Sequence, residues 1–164
     1  PSLRPPPALP PPAPGANLAA ARAPAFAEVN GLRLAFLSYS LTYPTEFYAG
    51  RTRPGTVPGY DDYLRADIPA AKKLADLVVV SFHWSAELLN FPKDYQRRCG
   101  RLAIDLGAGL VIGHHPHVLQ GFEVYHGGLI AYSLGNFAFG SYSSKSVDSA
   151  ILLVGLDQIG RAHV

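Results

Sequence analysis

The sequence predicts an α/β fold, and three observations carry that expectation. Leu77-Val78-Val79-Val80-Ser81-Phe82 and Leu110-Val111-Ile112-Gly113 are continuous apolar runs of strand length, the pattern of strands buried on both faces of a parallel sheet. Between them lies a stretch with apolar residues at helical spacing. The two runs therefore form one βαβ unit, whose crossover places both strands in one sheet with their carboxyl ends on the same edge. Finally, Asn30-Gly31 and His126-Gly127-Gly128, each flanked by apolar arms, are hairpin signals that add antiparallel strands.

Taken in order, residues 1–14 (PSLRPPPALPPPAP) are too proline-rich for helix or sheet and are expected to be polyproline II or disordered. The domain is expected over residues 15–158. Residues 19–25 allow a short helix that Pro24 stops, and residues 25–29 and 32–38 are the arms of the first hairpin. Residues 42–60, rich in Pro, Gly and Tyr, form a loop in which Arg51 and Arg53 are expected to be solvated charges. Asp61-Asp62 opens a helix with Ile68, Ala71, Leu74 and Ala75 facing inward and Lys72 and Lys73 outward. Asp76 leads into the first buried strand, which ends in His83-Trp84. Pro92-Lys93-Asp94-Tyr95 starts the crossover helix, Cys99, Leu102, Ala103 and Leu106 make its apolar face, and Gly107 and Gly109 end it. After the second buried strand come hairpin arms over residues 122–125 and 129–133, with His126 in the turn. Residues 134–140 leave the sheet, and residues 150–156 supply one more strand. The chain contains no Met, and its last six residues, IGRAHV, match one reading frame of a common sequencing adapter. Residues 159–164 are accordingly set aside from the fold as a tail.

Composition narrows the function classes. With 14 Lys and Arg against 12 Asp and Glu, the net charge is +2, and no basic run or stripe offers a surface for nucleic acid or an anionic membrane. The single cysteine, Cys99, excludes an internal disulfide. No apolar run approaches the ~20 residues that span a bilayer.

The chemistry concentrates where the second buried strand ends, in Gly113-His114-His115-Pro116-His117. Residues two apart in an extended segment point the same way, and a following proline biases His115 toward extended geometry, so His115 and His117 are expected to aim two imidazoles at one point. The βαβ topology brings His83 to the same rim. Neutral imidazole is a common ligand of zinc, manganese or iron. The alternative is a polar loop whose histidines are tied up in hydrogen bonds. Three neighbours also have two readings each. Glu87 either orients a ligand or substrate, or is a helix-start carboxylate; Trp84 either supports the cluster or packs at the rim; Asn136 either hydrogen-bonds the cluster or makes a turn. Ser133 has no recognisable histidine-acid partners for a nucleophile.

Residues 79–87 (VVSFHWSAE), 113–120 (GHHPHVLQ) and 132–137 (YSLGNF), in this order and spacing, resemble the capsule-synthesis CapA family of poly-gamma-glutamate biosynthesis proteins. The likeness runs from about Gly15 to Leu156. That family is similar to the calcineurin-like metallophosphatases, so the resemblance implies a calcineurin-like α/β sandwich, here incomplete on its N-terminal side. It also implies divalent metal ions (Mn, Fe or Zn) held by His83, His115 and His117. His114 and His117 would serve the reaction, His114 by assisting a leaving group or oxyanion, with Trp84, Glu87 and Asn136 around them. The implied substrate is an anionic polymer or phosphoester and the implied setting a membrane capsule-synthesis complex at the cell envelope, with no nucleic acid. A non-catalytic role in polymer export is the competing class.

Departures from the family pattern qualify this. Relatives carry earlier Gly-Asp, Glu and Asn-His segments that would supply acidic and further ligands, and this chain starts after them. By itself it is expected to hold one metal weakly or none and to be inactive. Taken literally, the phosphatase pattern Gly-His-x-His would select His114 and Pro116, so His115 with His117 is the preferred pair. Ser85 stands where the family usually has Gly, which is tolerable unless the backbone there requires positive φ.

Overall fold

Six strands form one mixed sheet in the order β1-β2-β3-β4-β6-β5 in a computed structural model that describes residues 15–42, 44–137, 148–156 and 162–163. The proline-rich residues 1–14 lie outside the described residues, as do 138–140 and all of 159–164 except 162–163. The elements are α1 (Leu18–Arg22), β1 (Ala25–Val29), β2 (Leu32–Ser40), a 3-10 turn (Thr45–Phe47), α2 (Asp61–Lys72), β3 (Leu77–His83), α3 (Asp94–Asp105), β4 (Leu110–His114), β5 (Leu119–Tyr125) and β6 (Gly128–Leu134), followed by a two-residue pairing of β7 (Gly155–Leu156) with β8 (Ala162–His163). The α/β class is the one the sequence predicts. Strands β2, β3, β4 and β6 run parallel, and the two hairpins place β1 and β5 antiparallel at the edges.

The βαβ unit sets the site. Its two strands pair in register from Val79↔Leu110 to His83↔His114, so both end on one rim. Both helices cover one face of the sheet, where Leu64, Ile68, Cys99 and Ala103 pack on Val78, Val80, Phe82 and Val111. The acidic first turn of α2, Asp61 and Asp62, complements its dipole. Arg22 ties α1 to this layer through both carboxylate oxygens of Asp67, at 2.6 and 3.0 Å, while its guanidinium stacks 4.3 Å over Tyr63.

Three sequence expectations change. Because α2 stops at Lys72, Leu74 falls beyond it and is 54% exposed, and Leu64 takes the inward position instead. The buried face of α3 is Gln96, Cys99, Gly100, Ala103 and Ile104, with Leu102 and Leu106 only partly covered. Residues 151–154 are not a strand. The parallel core strands already have partners on both sides, so this segment lies across the open face, Leu152 and Val154 packing on Leu34, Leu77, Val79, Leu110 and Leu129.

Candidate metal centre

At the end of β3 and β4, His83 and His114 are register partners and share the face that the helices leave open. Beyond His114 the chain bends. His115 has φ 97° and His117 φ 57°, so the expected extended geometry at His115 is corrected: both imidazole-bearing residues stand in the left-handed region, on either side of a fully buried Pro116. Non-glycine residues reach that region at a cost of about 1 kcal/mol each, and the surrounding structure has to impose it. Here the β3 loop does so, with Trp84 N–H donating to His114 O at 3.1 Å and Leu88 N–H to Pro116 O at 2.8 Å. A bend, not strand alternation, therefore gathers the rings. The His83 and His115 centroids are 4.6 Å apart, and those of His115 and His117 5.7 Å.

The surroundings bear on the tautomer and charge of these rings. Asn136 Oδ1 lies 2.7 Å from His117 Nδ1, an arrangement in which Nδ1–H donates and Nε2 is the unprotonated nitrogen. Desolvation by the surrounding rim, and after it the neighbouring His115, push the ring of His83 down to about 4 although it is exposed; desolvation likewise lowers His114, also exposed, and half-buried His115. Neutral imidazole is the ligand form.

For Glu87 the structure decides between the two readings the sequence left open. No helix starts there, which removes the helix-start reading, and its carboxylate instead converges with His115 and His117, their donor atoms all within 4.8 Å of one another. Two imidazoles and one carboxylate suit a divalent ion such as zinc, manganese or iron. Trp84 is set differently. Its indole is fully buried, stacked on Phe82 at 4.7 Å and near Tyr132 at 5.9 Å, with Nε1–H donating to Tyr132 O at 3.0 Å. It supports the rim from beneath, through the core and its own backbone.

His83, His114 and His115 also line one end of a groove of about 670 Å³ along the open face of β2. Hydroxyls of Ser38, Ser40, Thr42 and Ser81 face it, and none of its described lining residues is Lys, Arg, Asp or Glu. Arg51 and Arg53 stay on the exposed loop, and His126 sits in its hairpin turn against Asp105 at 2.8 Å. Ser133 is buried, its Oγ accepting from Gly135 N–H at 3.4 Å.

Ser85 does adopt positive φ, at 75°, and its Oγ is buried without a hydrogen-bond partner among the described residues. Its N–H donates to the Tyr95 hydroxyl, which holds the loop in place. Ser85→Gly removes both the left-handed penalty and the orphaned hydroxyl, and is expected to stabilise the fold by about 1 kcal/mol, or roughly 3 °C in Tm for a domain of this size. Thermal denaturation checks this; a lower Tm would mean that the hydroxyl is satisfied in solution.

The family model described as "Bacterial capsule synthesis protein PGA_cap" matches residues 14–141. The PGA biosynthesis protein CapA of Bacillus subtilis is 41% identical over 135 residues, covering 82% of this chain and 36% of that protein. The capsule biosynthesis protein CapA of Bacillus anthracis is 39% identical over 141 residues, covering 84% of this chain and 34% of its own length. The chain thus spans about a third of the length of these curated relatives.

Proposed function

Because the chain belongs to the bacterial capsule synthesis protein PGA_cap family, whose fold is calcineurin-like, we propose that it acts in making or exporting a poly-gamma-glutamate capsule at the cell envelope, its histidine rim serving as a metal-dependent hydrolytic centre. The observation that carries the catalytic part is the convergence of His83, His115 and His117 from two separate strand ends, with ring centroids 4.6 and 5.7 Å apart. No helix of the described residues is long and apolar enough to cross a membrane.

His115 and His117 are the imidazole donors to a divalent ion, with His83 beside them and Asn136 fixing the tautomer of His117. When bound, the ion polarises a phosphoryl or acyl oxygen and makes water a better nucleophile. The protein's own part is orientation. The hydroxyl-lined groove admits a chain or ester without contributing charge of its own, so an anionic substrate would be drawn by the bound ion at its histidine end. His114, on the same face as His83 and at the groove's end, would donate a hydrogen bond from its neutral imidazole to the leaving oxygen; its position in the groove lining supports that reading.

The test is metal analysis of the full-length protein followed by a phosphodiesterase screen with His115→Ala and His117→Ala. Stoichiometric metal, and turnover that falls at least ~100-fold in each variant, are expected. Metal-free protein without turnover would overturn the hydrolase and leave a polymer-binding component of the same fold.

A further inference from the structure

We propose that the groove along the open face of β2 is a subsite for an uncharged sugar, seated on the hydroxyls of Ser38 and Ser81 and against the ring of Phe47. This rests on the hydrolytic centre proposed above and names what its substrate carries: a sugar on the scissile ester, with negative charge confined to the end that reaches the histidines. The contacts of the sugar are apart from the rim, on β2, on β3 one row earlier and in the loop over residues 42–60.

The open face of the sheet changes character one row before the rim. Strand residues two apart share a face, and Leu34, Leu77 and Val79 make this one apolar where Leu152 and Val154 cover it. The next row holds Ser38 and Ser81, register partners on adjacent parallel strands, and both line the groove. Serine is out of place there. Ser81 interrupts the run Leu77-Val78-Val79-Val80 in a parallel strand, where apolar residues are the rule. Both serines are half-buried, and neither hydroxyl has a hydrogen-bond partner among the described residues. Two hydroxyls side by side, each able to donate and to accept, thus stand open on the floor of a cavity.

The walls keep charge out. Arg22 lies between the lining residues Ala21 and Ala23 but turns its guanidinium to Asp67, at 2.6 Å, on the helix side. Arg53 precedes the wall at Gly55 and Thr56, and it donates to Tyr48 O at 3.0 Å. A polyglutamate segment would bring one carboxylate per unit into a groove whose described lining has no cation, and each would lose hydration without gaining a partner. A neutral sugar carries no such cost. The wall also supplies a ring. Phe47 lines the groove while 66% exposed, and its backbone is fixed because Phe47 O accepts from Thr56 N–H at 2.9 Å and Ala49 N–H donates to Thr56 O at 2.8 Å. An aromatic side chain beside paired hydroxyls matches both surfaces of a sugar, its C–H faces and its own hydroxyls. The volume, about 670 Å³, falls within the roughly 300–1,000 Å³ of small-molecule sites.

The test is saturation-transfer NMR on the full-length protein with EDTA present. Methyl β-glucoside, methyl β-galactoside and N-acetylglucosamine are the probes, and a γ-linked glutamate trimer is the competitor. Wild type, Ser38→Ala, Ser81→Ala, Phe47→Ala and His126→Ala are compared, with circular dichroism confirming that each is folded. At least one sugar should bind at millimolar concentration to wild type and to His126→Ala, whose imidazole is in the β5–β6 turn. Each of the three groove variants should bind it about fivefold more weakly, and the glutamate trimer should not displace it. The proposal is overturned if no sugar binds, if the groove variants bind as well as wild type, or if the trimer displaces the sugar. Phosphodiesterase turnover of metal-supplemented wild type is read separately. Turnover without sugar binding removes the subsite and keeps the hydrolytic centre; groove-dependent sugar binding without turnover supports the subsite and removes that centre.

Discussion

Gly113→Ala is expected to destabilise the domain by on the order of 4 kcal/mol, a large part of what holds a single domain folded. A Cβ built on Gly113 would stand 2.1 Å from Tyr132 O and 2.4 Å from Trp84 Nε1. The first of these is backbone of the neighbouring strand and cannot rotate away, so β4 and β6 would have to part. The second is the donor of the indole hydrogen bond to that same carbonyl. Alanine therefore strains the strand pairing and breaks a buried polar contact together, one residue before His114 and two before His115. Urea denaturation measures the loss, and metal affinity should fall with it because the bend carrying His115 and His117 starts from the displaced strand. A urea midpoint within error of wild type would show that the β4–β6 contact is looser than described.

Gly113 also marks the border between what was legible in the sequence and what was not. The βαβ unit was legible because continuous apolar strands and an amphipathic crossover leave few alternative arrangements, and the rim shared by His83 and the histidine cluster followed from handedness alone. Both hairpins were legible from turn chemistry: Asn30 and His126 take φ of 52° and 46° beside glycines, as their turns require. The loop geometry was not. Ser85, Leu88, His115 and His117 all occupy positive φ without being glycine, and local preference argues against each. Hydrogen bonds between two loops some thirty residues apart in sequence impose these conformations, and no window along the chain contains them.

For Glu87 the sequence left two readings, beside the cluster or at a helix start, because an acidic residue ahead of a helix resembles a helix-start carboxylate until the loop is known to turn twice. The segment over 150–156 failed differently. Its alternation is real, with Ile151 and Leu153 outward and Leu152 and Val154 inward, but pattern alone does not say whether a sheet edge is free to receive it. The serine in place of the usual glycine marked a position where positive φ was in question, and φ there is 75°.

Trp84→Ala should cost about 4 kcal/mol, with Trp84→Phe costing less than half as much. The indole is fully buried between Phe82 and Tyr132 and lies under the sheet where both Gly113 and Gly100 leave room for it, the latter's Cβ position being 3.7 Å from the ring. Alanine empties that space and leaves Tyr132 O without its donor. Phenylalanine restores most of the stack and loses only the hydrogen bond. The two large effects are coupled, because the same indole nitrogen stands against Gly113. In the double variant Gly113→Ala with Trp84→Ala, the new methyl group enters space that the indole has vacated, so one of its two clashes disappears while the backbone clash with Tyr132 O stays. The combined loss should fall short of the sum of the single losses by about 1–2 kcal/mol. Strict additivity in urea denaturation would mean that the indole does not fill the space beneath Gly113, and that the rim carrying the histidines is supported from elsewhere.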